Sequence, residues 1–382
     1  MSDWRYERAL HNVPMANNGT ITERLPSSGI ISQLQLYLYG QNSNNMHNIP
    51  EERLSRHITN VTIIGDDDDI IVDASAEQLR ALAWDNNQHC PIEHNQCYGA
   101  KGQWTSVPIN FGRFSRDKDY GLDLSKWTEV EVKITNDAAA AEIQADTQSM
   151  SARLLWEKSG DVAPTHYMSP VEIDSHVCAR ANEHYVKRIA RKDLIRRIQI
   201  QDTVTVDSTS GCPDATRNGN IENIKFSKHT REDVIFDDKL TELGYFNVSE
   251  YGSDLETFFK PGNGSMMYPD VCLLDPRNVT EMQMGDAGAA AVAGGLLADD
   301  QERYPLVRAY GAGDFSSWQV IGSLPYGCGV FRFYDIQPHN LDGDSPTTWL
   351  DPQAEADVEI DYLLGDTDGT VHTVTEAAKP HP

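Results

Sequence analysis

The chain has 382 residues, with 58 acidic against 32 basic side chains and a net charge of −26. That length suits two domains, or three small ones, each large enough to bury a core, and the charge excludes a polyanion-coating protein that lacks a local basic island. Six cysteines at irregular spacing are too few for a disulfide scaffold.

In chain order, the opening Met1-Ser2-Asp3-Trp4-Arg5-Tyr6-Glu7 has no apolar run of signal-peptide type. The most apolar stretch, Ala287–Ala298, falls short of the about 20 residues that a spanning helix needs. The expectation is a soluble protein made in the cytoplasm. Short runs of alternating character recur instead: Gln33–Leu38, Ile58–Ile64, Val130–Ile134, Ile198–Ile200, Val330–Phe333 and Val358–Tyr362. Such alternation marks half-buried strands, and Gly, Asn, Asp and Pro clusters separate them as turns, as at Gly40–Asn45, Gly65–Asp69 and Gly365–Gly369. The class is mostly β. Short helices are predicted at Ala76–Trp84 and Lys239–Phe246, where leucines sit three apart.

An internal repeat runs through these elements. Residues 24–36 align without a gap on residues 188–200, at an offset of 164. Ile58–Ile63 meets Ile221–Phe226 at 163, Ile71-Val72-Asp73 meets Ile235-Phe236-Asp237 at 164, and Leu79, Leu82, Trp84 and Asn86 meet Leu240, Leu243, Tyr245 and Asn247 at 161. Four matches in one order indicate a whole domain copied once, not an array of short units. The repeat predicts that Asn60 overlies Asn223 and Asp73 overlies Asp237. It predicts one core lined by Leu34, Leu36, Val61, Ile63, Val72, Leu79 and Leu82. Ile198, Ile200, Ile224, Phe226, Phe236, Leu240 and Leu243 are expected to line another. Equating Val130–Ile134 with Val330–Phe333 shifts the offset to about 200, which gives the second copy roughly 40 extra residues, placed within Tyr251–Tyr310. Loops tolerate such insertions.

Site chemistry is sparse. Among twelve histidines there is no His-x-His pair, and no Gly-x-Ser-x-Gly elbow, P-loop or His-Glu-x-x-His is present. His89, Cys90, His94 and Cys97 have zinc-ligand character, but no second cluster of paired spacing accompanies them. Asp66-Asp67-Asp68-Asp69 sits at the tip of an expected hairpin, and Asp366-Thr367-Asp368-Gly369 resembles a fragment of a calcium loop. Asp66, Asp68, Asp366 and Asp368 are therefore the calcium candidates, against the plainer reading of each segment as a solvated turn. No other cofactor is expected. Arg180–Arg197 gathers Lys187, Arg188, Arg191, Lys192, Arg196 and Arg197 in a chain otherwise poor in positive charge. It could face nucleic acid, an anionic membrane or an acidic neighbouring subunit, or be a linker and edge strand blunted by charge.

The order of motifs in the first copy resembles a known family. Leu25-Pro26-Ser27-Ser28-Gly29-Ile30-Ile31 precedes the strand pair around Asn60-Val61 and Ile71-Val72-Asp73, then the Leu79–Trp84 helical turn. Ile109-Asn110-Phe111-Gly112-Arg113-Phe114-Ser115-Arg116-Asp117, Tyr120-Gly121-Leu122-Asp123 and Val130–Ile134 follow. This order is similar to that of the double jelly-roll major capsid proteins of tailless icosahedral double-stranded DNA viruses, the lineage of adenovirus and the membrane-containing phages. It covers most of residues 20–137, with an echo at 188–247.

The resemblance implies two tandem eight-stranded jelly-roll sandwiches with short helices and long loops. The expected division is an N-terminal arm at 1–20, a first jelly roll at 21–165, a linker at 166–187, a second jelly roll at 188–376 with its insertion within about 251–310, and a C-terminal tail at 377–382. It implies a structural major capsid protein of the virion, synthesised in the host cytoplasm, that forms pseudo-hexameric homotrimers. Its partners would be neighbouring capsomers, other virion proteins and an internal membrane, with no specific nucleic acid contact. No catalytic or cofactor-binding residue carries over, so no enzyme is expected. Two alternatives remain on sequence grounds: a carbohydrate-binding or carbohydrate-active double β-sandwich whose 7 Trp and 15 Tyr form a stacking platform, and a virion spike or adhesin.

Overall fold

The computed structural model describes residues 4–43, 54–66, 68–87, 91, 93–95, 102–138, 143–157, 160, 162–203, 221–229, 231–239, 243, 254–261, 281–283, 308–310, 315–322, 328–333, 344–355, 357–365 and 369–382. The first half contains β1 (Trp4–Pro14), β2 (Gly19–Arg24), β3 (Ile30–Gln41), α1 (Leu54–His57), β4 (Ile58–Gly65), β5 (Asp69–Ala74) and α2 (Ala76–Asn87). After these come β6 (Glu93–Asn95), β7 (Gly102–Asn110), β8 (Leu122–Asp123), β9 (Val130–Asn136) and β10 (Ser149–Glu157). Alternation drives the strands: along β9, Val130, Val132 and Ile134 are buried while Glu131, Lys133 and Thr135 are half-buried on the other face. One sheet runs β1-β10-β3-β7-β6, with β8 on β3, and β2, β9, β4 and β5 pair in that order in another. Leu34, Leu36, Val61, Ile63, Val72 and Leu79 belong to the core between them, and Leu82 is buried outside that cluster.

The second half contains β11 (His166–Val177), β12 (Glu183–Arg188), β13 (Leu194–Thr203), β14 (Ile221–Lys228) and β15 (Asp233–Asp238). An excursion follows with β16 (Asp254–Pro261), β17 (Glu281–Gln283), β18 (Arg308–Tyr310) and β19 (Phe315–Gly322), which pair as a small sheet of their own around β19. The chain closes with β20 (Cys328–Arg332), β21 (Val358–Leu364) and β22 (Thr370–Pro380). The pairing orders β11-β22-β13-β20 and β12-β21-β14-β15 reproduce β1-β10-β3-β7 and β2-β9-β4-β5 strand for strand. Each half is therefore an eight-stranded jelly roll. Even the irregularities repeat. The ladders skip Ser32, Thr59 and Ile71 in the first copy and Arg196, Glu222 and Ile235 in the second. Bulges are placed features and not defects, so three coincident ones establish the duplication independently of side-chain identity. Ile198, Ile200, Ile224, Phe226 and Leu243 share the second core, with Phe236 half-buried against it; Leu240 lies outside the described residues, as does the expected second helix apart from Leu243.

Several sequence boundaries need correction. Residues 1–20 are not an arm: β1 is the first strand of the first sandwich, paired along β10. Residues 166–187 are not a linker: β11 and β12 open the second sandwich. Nor does the fold stop at 376, because β22 continues to Pro380 with Ala377 and Ala378 buried. Two register shifts in β1 and one in β11 break the alternation that marks a strand, and the outer strands β1 and β12 leave polar residues exposed on both faces. The late strands were also mispaired. β9 corresponds to β21, and Val330–Phe333 belongs with β20, the counterpart of β7. The offset therefore jumps from 164 at β5 and β15 to 226 at β7 and β20, making the excursion longer than expected; β19 carries it past residue 310.

Candidate functional site

The described residues concentrate their buried charge at the seam between the two sandwiches. The seam is built from α2. Ser75 and Gln78 cap its start reciprocally, Gln78 N donating to Ser75 Oγ at 3.2 Å and Ser75 N to Gln78 Oε1 at 2.8 Å. Arg80, fully buried, ties the helix to its own sandwich by donating to Thr105 Oγ1 at 2.7 Å and to the Ser106 and Pro91 carbonyls. This leaves the last turn to reach the other sandwich.

There Asp85 meets two arginines. Arg332 Nε donates to Asp85 Oδ2 at 2.9 Å, and Arg197 also donates to Asp85. Arg197 turns its remaining donors to Glu376, at 2.6 and 2.8 Å. Arg196 bridges Glu376 at 2.9 Å, Asn86 at 2.8 Å and Asp344 at 2.6 Å. Three guanidinium groups face three carboxylates, so the network is neutral. Burial would raise the Asp85 carboxyl, but Arg332 and Arg197 beside it win and hold it below the usual carboxylate range. Such a network gives register more than net stability, because desolvating the charges costs about as much as pairing returns.

Backbone and aromatic contacts complete the seam. β5 and β11 pair in parallel with Asp73 opposite Val171, so one eight-stranded sheet crosses from sandwich to sandwich. Ser169 Oγ donates to the Ile71 carbonyl at 2.6 Å, and Lys379 Nζ to the Ile70 carbonyl at 2.8 Å. Tyr120 from the first half packs with Met168, Trp349 and Ala378 from the second. Near the C-terminus, the His381 ring packs on Trp127 and Tyr167 and accepts from Asp123 N at 3.1 Å.

The basic stretch is largely absorbed by this architecture. Lys187 pairs with Asp174 at 2.8 Å, Arg188 with Glu359 at 2.8 Å and Arg191 with Asp357 at 3.8 Å, while Arg196 and Arg197 enter the seam. Of the calcium candidates, Asp66 and Asp68 are exposed. Asp66 Oδ1 accepts from Thr128 N at 2.7 Å and Glu129 N at 3.0 Å. Asp366 and Asp368 lie outside the described residues, as do the side chains of His89, Cys90, His94 and Cys97. Among the described residues no group of three His, Cys, Asp or Glu side chains is placed to hold a metal, and no helix is long and apolar enough to cross a membrane. Asp85, Arg332 and Glu376 were not singled out from sequence. Their signal was a charge inside an apolar strand or helix, as at Val374-Thr375-Glu376-Ala377.

No protein-family model matches the sequence, and no curated protein does either. Solved structures do. The major capsid protein of STIV, Sulfolobus turreted icosahedral virus, superposes over 100% of this chain and 97% of its own with a TM-score of 0.62 at 10% identity. The major capsid protein of bacteriophage PM2 covers 99% of this chain and 98% of its own, with a TM-score of 0.53 at 12% identity. The PBCV-1 virus capsid covers 99% and 94%, with a TM-score of 0.54 at 10% identity. Likeness at such identities speaks for the fold, and it does so over the whole length: the chain has the double jelly-roll fold of these capsid proteins.

Proposed function

We propose that the chain is the structural subunit of an icosahedral viral shell, made in the host cytoplasm and resident in the virion. In this reading it assembles as homotrimers whose six sandwiches approximate a hexagon, alongside other virion proteins and without chemistry of its own. The observation that carries the reading is the match over 100% of this chain and 97% of the STIV major capsid protein, with no segment left over to house another activity. The internal architecture agrees, since a sandwich copied once gives each subunit two similar corners, and a ring of such subunits closes by repeating one contact. The stacking platform that a carbohydrate-binding reading needs loses support, because Trp84, Trp127, Trp156 and Trp349 are all buried.

Light scattering combined with negative-stain microscopy tests the proposal. Trimers or closed particles are expected. With a net charge of −26, their yield rises with ionic strength as like-charged subunits are screened. A single-chain species at every salt and protein concentration would overturn the reading.

A further inference from the structure

The duplication turns the seam inside the chain into a template for contact between chains. Within the chain, β5 at the rim of the first sandwich pairs with β11 at the rim of the second. By the repeat, β15 is the counterpart of β5, and β1 is the counterpart of β11. Among the described residues, β1 and β15 each stand last in their sheet. They are exposed along most of their length: Tyr6 is 59% exposed and Val234 41%. An edge strand offers unpaired backbone donors and acceptors to any second strand. The same two positions that close on each other inside the chain are thus open at its two ends.

The sheet faces beside these edges show the same contrast. On the second sandwich, Gln199, Gln201 and Val374 point outward, yet they are 0%, 2% and 0% exposed because α2 of the first sandwich covers them. Gln201 Nε2 donates to Glu77 of that helix at 3.3 Å. Ladder for ladder, their counterparts on the first sandwich are Gln35, Tyr37 and Arg153. Here Gln35 and Tyr37 are half-buried and Arg153 is exposed. The face is already ordered: Tyr37 donates to Gln35 at 2.6 Å, Gln41 to Tyr39 at 3.0 Å, and the Arg153 guanidinium lies 5.1 Å from the Tyr37 ring centroid. Charge points the same way, with Asp233, Asp237 and Asp238 on β15 and Arg5, Arg8 and Arg153 on or beside β1.

We infer that β15 of one copy joins β1 of the next in parallel, continuing the sheet across the subunit boundary, while the outward face of β10 and β3 receives the second sandwich of that same neighbour. The occupant is a second copy of this chain, docked head to tail. The inference rests on the shell-subunit reading and adds the surface it uses. Register follows from the internal pair: Asp73 opposite Val171 translates, through the repeat, to Asp237 of one copy opposite Glu7 of the next.

The test is a paired substitution, Glu7→Cys with Asp237→Cys, in the full chain at a concentration where the wild type assembles, treated with a short thiol-to-thiol cross-linker. The double variant is expected to lose its single-chain band on a denaturing gel and to give a ladder that ends at three chains, whereas Glu7→Cys or Asp237→Cys alone stays single. Hydroxyl-radical footprinting of the unmodified protein provides a second readout, free of any folding defect in the variant: Tyr37 and Tyr39 become protected on assembly. A wild type that assembles, with no cross-link and no protection of these tyrosines, would overturn the inference and leave the shell-subunit reading standing. A wild type that never assembles would overturn both.

Discussion

The Asn60 side-chain amide donates to Asp73 at 2.9 Å, tying β4 to β5 next to a ladder bulge. One repeat later Asn223 donates to Asp237 at 2.8 Å across β14 and β15. Their preservation in both copies, while neighbouring side chains changed, identifies this bond as part of how the hairpin is set. The first pair is half-buried and the second exposed. Removing a hydrogen bond costs roughly 0.5–1.5 kcal/mol, more where the abandoned partner is shielded from water. Asn60→Ala is therefore expected near the upper end of that range and Asn223→Ala near the lower, measured by denaturant unfolding. Equal losses at both sites would show that burial does not decide the difference.

Asp85→Ala is the severe seam variant. It leaves Arg197 and Arg332, 0% and 5% exposed, without the carboxylate that both address. Breaking a buried pair in this way costs roughly 3–5 kcal/mol. Because the partners sit in different sandwiches, the expected signature is a single thermal transition splitting into two as the halves uncouple. A loss below about 1 kcal/mol, the range of an exposed ion pair, would mean that water reaches the network.

Much of this was legible beforehand, and the failures share one cause. Alternation marked β3, β4, β9, β13, β14 and β21, and the conserved spacing revealed the duplication. The Ser75-x-x-Gln78 box ahead of Leu79 and Leu82 marked α2. Alternation, however, says that a segment is a strand and not which strand it pairs with. Val130–Ile134 and Val330–Phe333 have the same rhythm, yet they occupy different places in their sheets. In β1 and β11 the bulges removed even the rhythm. The seam was invisible for a related reason: a run of arginines reads as a solvated surface until a partner such as Asp85, some 110 residues earlier, is seen to face it.

Acid sensitivity follows from the same carboxylates. Burial pushes Asp85 up, but Arg332 and Arg197 outweigh it and its carboxyl is lowered. The hydrogen bond from Arg231 lowers Glu359 against its burial, with Arg188 adding to it. A group whose folded pKa lies below its unfolded value stabilises the fold above the unfolded value, and the contribution is lost as pH falls through the folded one. The melting temperature is expected to be level between about pH 5 and 8 and to fall below about pH 4, the range of unperturbed carboxyls. Asp85→Asn should flatten that fall in a fluorescence melt series. A drop centred near pH 6.5, the ordinary histidine range, would instead assign the transition to a histidine.

The acidic run at the β4–β5 turn yields the last prediction. Asp66, with a positive φ of 48°, uses one carboxylate oxygen to cap Thr128 N and Glu129 N. Asp69 Oδ2 accepts from the buried Trp127 indole at 2.9 Å. Next to them, a Cβ on Gly65 would collide with the Trp127 ring, so the turn is shaped around that side chain. Two of the four carboxylates are thus committed to the Leu124–Glu129 segment, and a cation would have to compete with those bonds. We expect chelation to leave the melting temperature unchanged and calcium to raise it by less than about 1 °C, well below the several degrees that 1 kcal/mol produces. Asp66→Ala should cost roughly 1–2 kcal/mol through lost hydrogen bonds to a charged acceptor, and Gly65→Ala roughly 1–3 kcal/mol by overpacking against Trp127. Calorimetry on protein stripped of metal and then titrated with calcium reads all of this directly. A calcium-dependent rise of several degrees that Asp66→Ala abolishes would show that the carboxylates serve a cation first and the loop second.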